Sequence, residues 1–283
     1  MRNLACILGV LLLMAGCGWE DLEPPEMVSM NQARPLEREQ SLESTVRFDI
    51  GSLEITGGAK NALYSMDLEY DKRGYTPDVQ YVAGAEGRLS FGLPSMHRLG
   101  LRGGTNGNRL RLALTDSIPL SLRVATGVGD ARLNLSGMKL ARIDFESGVG
   151  GAKVSAYEPN PIACEYVRLK NGVGAIDAVG LGNLNFRELE FEGGVGGASL
   201  DFTGEWKHDA DIRVQVGVGG VNVRMPREIG VRVEAEKHFL SSLQLEGFSR
   251  RNESYYSDNY DRAAIRVSIR VETGVGGLKI TWI

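Results

Sequence analysis

Acidic side chains are the first place to look for chemistry in this chain. Carboxylates that converge on one surface with perturbed pKa values can deliver the general acid–base work of glycan cleavage. The candidates are Asp144, Glu146, Glu190 and Glu192, which recur at related places in a repeat, and Asp177 and Asp201, which fall elsewhere in it. In the register developed below, each of the first four lies beside a basic or neutral neighbour, and a flanking cation keeps a carboxylate ionised and unreactive. Asp177 and Asp201 occupy different columns and do not pair. The expectation is a structural charge ladder with no catalytic residue; a polysaccharide-active enzyme on the same scaffold is the alternative. His97, His208 and His238 are scattered and predict no metal site. A Gly-Val-Gly string recurs but lacks the third glycine and following helix of a dinucleotide fingerprint, so no cofactor is expected. Cys164 reads as a small apolar filler.

The elements that would hold these side chains follow from that same Gly-Val-Gly string, which occupies 127–129, 148–150, 172–174, 194–196, 217–219 and 274–276. Its starts are 21, 24, 22, 23 and 57 residues apart, a repeat whose units must stack to bury their apolar faces. Let each unit be numbered from its central valine: Val128, Val149, Val173, Val195, Val218 and Val275. Apolar residues stand at −6 and −4 (Ile143/Phe145, Leu189/Phe191) and again at +3 and +5 (Ala152/Val154, Ala198/Leu200). Both pairs have the period of a strand, but the phase slips by one residue across the glycines, which predicts a bulge or corner. Each unit is then strand, bend, strand, loop. The prediction is an all-β, single parallel β-solenoid of about 22-residue rungs at roughly 4.8 Å spacing, with the valines pointing inward at the bend. The alternative is an antiparallel β-sandwich or meander with the glycines at hairpin tips.

Outward charges support parallel stacking. At −5 the units read Arg123, Asp144, Arg168, Glu190, Arg213 and Arg270, alternating in sign over the first five. Parallel rungs would set these opposite charges side by side. The alternation is expected to stop where the 57-residue gap interrupts the stack.

The chain opens with Arg2, an apolar run from Leu4 to Met14 and the small pair Ala15-Gly16, a signal segment over 1–16 too short to span a bilayer. Leu13-Met14-Ala15-Gly16-Cys17 resembles a bacterial lipobox, which implies cleavage before Cys17 and its acylation. The acyl anchor makes the membrane a partner, and Gly18 favours the outer membrane if the host has two. Without residues 1–16 the chain carries 31 basic and 36 acidic residues, net −5, which argues against a nucleic-acid partner. Residues 17–43 read as the lipidated Cys17 and a disordered tether, and 44–283 as one solenoid domain. In that domain Ile50 takes the valine place of a degenerate seventh bend. The polar-aromatic excursion 237–262 reads as a cap over the open end of the stack, or as a loop that binds a glycan or peptide through Phe239, Tyr255, Tyr256 and Tyr260.

Phe48 to Ala59, Ile118-Pro119, the six Gly-Val-Gly bends and the Tyr-rich stretch before Ala263-Ala264-Ile265-Arg266-Val267 together resemble the bacterial toast-rack β-solenoid family. That family includes adhesin-like proteins and relatives of LiaF-type cell-envelope stress proteins. The lipobox and tether stand where LiaF-type proteins have membrane helices, so no membrane-embedded signalling role carries over. The resemblance implies a cell-envelope location and a non-enzymatic interaction role, adhesin-like, toward an unidentified envelope protein or glycan. A purely structural spacer is the blander alternative.

Overall fold

The structure is a computed structural model that describes residues 24–59, 61–95, 107–235 and 240–283. Among them the only helical element is one 3-10 turn, Leu181–Leu184. The signal segment, Cys17, Phe239, His97 and His238 lie outside the described residues.

The first strands are β1 (Met27–Pro35), β2 (Ser41–Ile50), β3 (Ser52–Thr56), β4 (Ala62–Asp71), β5 (Asp78–Val82), β6 (Glu86–Leu93) and β7 (Arg109–Leu114). The regular repeat supplies β8 (Leu120–Val128), β9 (Ala131–Asn134), β10 (Leu140–Val149), β11 (Ala152–Ser155), β12 (Cys164–Val173), β13 (Ile176–Val179), β14 (Phe186–Val195) and β15 (Ala198–Asp201). The last strands are β16 (Ala210–Met225), β17 (Gly230–Ala235), β18 (Leu240–Leu245), β19 (Phe248–Arg251), β20 (Ser254–Ser257) and β21 (Arg266–Trp282).

Each repeat contributes one strand before its bend and one after. The first arms stack in parallel in the order β6, β2, β8, β10, β12, β14, β16, β21, β17, and the second arms in the order β7, β3, β9, β11, β13, β15, β16, β21, β18. Equivalent valines fall opposite one another, and Ile50 lies opposite Val128 as the seventh bend. The parallel solenoid therefore stands and the antiparallel reading fails. The −6, −4, +3 and +5 columns are all buried and join both arms in one core cluster.

Three expectations need correction. Residues 27–35, read as tether, form β1, which pairs antiparallel with β4 at the edge of the second arms. The 57-residue gap does not interrupt the stack. The chain lays an outer rung (β17, β18), turns back through the β19–β20 hairpin, and inserts β21 between that rung and β16. Arg213 and Arg270 thus meet as like-charged neighbours, and the alternation resumes with Glu234 of β17, whose carboxylate lies 3.4 Å from Arg270.

The third correction concerns the valines. They face solvent, from 41% exposed at Val128 to 62% at Val275. The space inside the corner is taken by the −2 column, in which Ser147, Asn171 and Val216 are buried. Small polar residues at that column hid its inward phase from an apolar pattern. The glycines on both sides are required by stacking. A Cβ on Gly196 would lie 1.8 Å from the Gly174 carbonyl oxygen, and one on Gly148 would lie 2.4 Å from that of Gly127. Gly196 also has φ +144°, a conformation side chains disfavour. The ladder runs unbroken through the corner, since each following glycine N–H donates to the next valine carbonyl (Gly150 to Val173, 2.9 Å).

The return side is held differently. The buried Asn160 side chain accepts from the Leu140 N–H (3.1 Å) and donates to the carbonyls of Leu140 (2.8 Å) and Leu184 (3.0 Å). Asn183 and Asn185 donate in the same way to Ala156 and Ile162. Buried backbone groups that lack a ladder partner are satisfied by side-chain amides here.

Candidate interaction surface

The first-arm outer face carries the charge ladder. Asp144 sits 3.5 Å from Arg123 and 3.6 Å from Arg168; Arg168 also reaches Glu192 at 2.9 Å, and Lys170 lies 3.4 Å from Glu146 and 3.8 Å from Glu192. The Arg168 guanidinium is pushed up from its ordinary value, chiefly by the hydrogen bond to Glu192. Glu190 accepts the Tyr166 hydroxyl and lies 3.8 Å from Arg213. Burial, then Glu190, raises that phenol to about 12. Each carboxylate expected to stack thus has a cation or hydroxyl beside it. Asp201 is buried at the second-arm base, 2.9 Å from Arg224, and caps the Thr203 N–H. The solvent-exposed pairs of the ladder contribute roughly 0–1 kcal/mol each.

Cys164 is fully buried, and burial pushes its thiol up to about 12, so it behaves as the small filler expected. His208 has its Nδ1 2.8 Å from the Asp209 carbonyl oxygen, and no group of metal-ligating side chains occurs among the described residues.

At the C-terminal end the expected aromatic group is divided. Strand β20 pairs antiparallel with β17, with Tyr255 opposite Val233 and Tyr256 opposite Arg232. Side chains alternate along a strand, so the two tyrosines face opposite ways. Tyr255 packs against the core, whereas Tyr256 meets Tyr260 edge to face with ring centroids 4.9 Å apart. Arg251 lies over the Tyr256 ring at 5.1 Å and Arg266 over Tyr260 at 5.8 Å; Asp261 holds Arg251 at 2.9 Å. The hairpin is anchored by Ser257, which accepts from the Val231 N–H, and by Asn259, which donates to the carbonyls of Arg227 and Ile229.

Sequence reasoning missed a second aromatic pair beside this one. Phe248 stacks on Trp282 at 5.3 Å, and the indole N–H donates to the Glu246 carbonyl at 2.7 Å. Trp282 borders a concavity of about 370 Å³ that is also lined by Arg227, Glu246, Asp258 and Asn259. The signal available in the sequence was the aromatic Trp282 in the last strand.

The opposite end holds another missed group. Glu39 is buried, accepts the Tyr81 hydroxyl at 2.5 Å and caps the N–H groups of Glu37 and Arg38. The Tyr81 bond chiefly holds its carboxyl down to about 2.

Stacked parallel rungs, a core shared by two arms, and antiparallel strands against β6 and β7 at one end and β17 at the other define a capped parallel β-solenoid. The family model for the N-terminal domain of toast_rack (DUF2154) matches residues 24–177 and 166–224, more than half of the chain. The chain belongs to the toast-rack family. Among solved structures it is similar to a candidate cell adhesion protein from Clostridium sporogenes, with 21% identity, a TM-score of 0.47, and 90% of this chain and 100% of that one covered. It is also similar to a candidate adhesin from Bacteroides fragilis, with 12% identity, a TM-score of 0.40, and 90% and 97% covered. No curated protein matches it.

Proposed function

We propose that this protein is a non-catalytic, adhesin-like module of the bacterial cell envelope that docks a glycan or protein partner through its C-terminal end. The observation that carries the reading is the pairing there of Tyr256 and Tyr260 with Arg251 and Arg266. Tyrosine offers an apolar face with a polar tip, and guanidinium groups add fixed donors for carboxylates or hydroxyls. The Trp282 concavity at this end offers a second aromatic face with a polar rim. The ladder acids are each engaged by a neighbouring cation or hydroxyl, which favours recognition over acid–base cleavage. The proposed attachment is acylated Cys17, with the protein on the membrane and in the outer one where the host has two.

The test is recovery of cross-linked partners from native membranes with the parent and with Tyr256→Ala/Tyr260→Ala. The double change is expected to reduce recovery at least about tenfold, a loss of roughly 1.4 kcal/mol. Unchanged recovery by a folded variant would overturn this site. Shortening of envelope polysaccharides by the purified protein, abolished by one carboxylate change, would favour the enzyme instead. Cys17→Ser is expected to release the protein from the membrane fraction.

A further inference from the structure

The exposed valine column is left unused by the surface just described. Ile50, Val128, Val149, Val173, Val195, Val218 and Val275 stand in register on seven successive rungs, a stripe about 29 Å long at 4.8 Å per step. Its valines are 41–62% exposed, and columns of glycine lie on both sides. An unbroken aliphatic row with bare backbone beside it is unusual on a soluble surface.

The flanks indicate what covers it. Beyond the glycine-rich +2 column, in which Asp130 is the one charged residue, the outward columns that flank the stripe are −3 on the first arm and +4 on the second. On four of the seven rungs these two carry opposite charge: Arg47 and Glu54, Glu146 and Lys153, Lys170 and Asp177, Glu272 and Lys279. On the other three at least one is neutral, and no rung carries like charges. Contacts within the chain run along each flank, as in Lys170 with Glu146 and Glu192 or Glu54 with Arg111, and among the described residues no ion pair joins the two flanks of one rung.

A twofold axis along the stripe explains it. That operation sets each valine against its own counterpart and brings the −3 column of one copy against the +4 column of the other, rung for rung. We infer that the valine stripe is a self-association surface on which a second copy of this chain lies parallel, with eight charge pairs flanking a dry aliphatic seam. The same patch serves both copies, as an isologous dimer requires. A second copy is also the occupant whose side chains repeat at the same 4.8 Å interval, the condition for a row to pack against a row. Six half-exposed valines and the less exposed Ile50 offer on the order of 500 Å² per copy, and the charged flanks bring the total toward the ~1,600 Å² of a standard interface.

Analytical ultracentrifugation of the purified protein in low salt tests this. The parent is expected to sediment as a dimer at about 100 μM and to weaken as salt rises. Lys153→Glu with Lys279→Glu makes both flanks of two rungs acidic, and Glu146→Lys with Glu272→Lys makes them basic. Each double variant alone is expected to associate at least about tenfold more weakly, and an equimolar mixture to recover the parent's affinity, because each basic flank then meets an acidic one. A parent that stays monomeric at that concentration overturns the proposal even if the variants misfold, as does a parent that remains monomeric while binding lipid vesicles or envelope glycan. Folded variants that associate like the parent, or a mixture without recovery, overturn it too.

Discussion

The two corners of each rung solve one problem in opposite ways. At the bend, successive turns approach so closely that side chains are removed: glycine flanks the valine on both sides, and the ladder hydrogen bonds pass straight through. On the return side the chain leaves the ladder between rungs, and side chains are added there, with the amides of Asn160, Asn183 and Asn185 serving the carbonyls of neighbouring turns. Contact at the bend is therefore a matter of volume and backbone conformation, and at the return a matter of unsatisfied polar groups. The former repeats in sequence because every rung imposes the same close approach. The latter does not, since each loop has its own length and its own orphan groups.

Breaking the bend should cost most. In Gly196→Ala the new Cβ meets the Gly174 carbonyl oxygen at a backbone conformation that disfavours any side chain. We expect a loss of at least about 3 kcal/mol by urea denaturation, or no folded protein. Asn160→Ala attacks the return side. It removes the donor to two carbonyls and leaves the Leu140 N–H only the Met138 carbonyl, and a loss of about 2–3 kcal/mol is expected in the same assay.

Acid should separate both corners from the N-terminal end, where the equivalent work is done by an ionised group. The Glu39 carboxyl is depressed from 4.5 to about 2, chiefly by Tyr81. A depressed folded-state pKa stabilises above the unfolded value, and that stabilisation fades as pH falls from about 4.5 toward 2. Neither corner depends on a titrating group. NMR or circular dichroism on lowering pH should show this end loosening in that window, and Tyr81→Phe should move the onset to higher pH. The smallest effect is the control. Gly197 lies one residue beyond the tight position, has no atom within 4 Å of an added Cβ and lacks positive φ, so Gly197→Ala should stay within about 0.5 kcal/mol of the parent.

Much of the arrangement was legible in the chain itself, because periodicity maps directly onto faces. The −6, −4, +3 and +5 residues are buried on every repeat, Ile50 forms the seventh bend, and alternating charges at −5 pair across neighbouring rungs. What escaped depended on competition for space or on distant partners. Tyr255 and Tyr256 look equivalent in sequence, yet pairing with β17 turns one inward and leaves the other to meet Tyr260. Trp282 meets Phe248 only because β21 is threaded back beside the outer rung.

By itself the sequence determined the rung, since hydrophobic period and glycine placement are set residue by residue along one strand. Only the tertiary structure decided the order of rungs at the two ends and which side of the corner the valines take. Both depend on what already fills the neighbouring space: β18 and β17 occupy the outer rung before β21 returns, and Ser147, Asn171 and Val216 fill the inside of the bend, leaving the valines to the water.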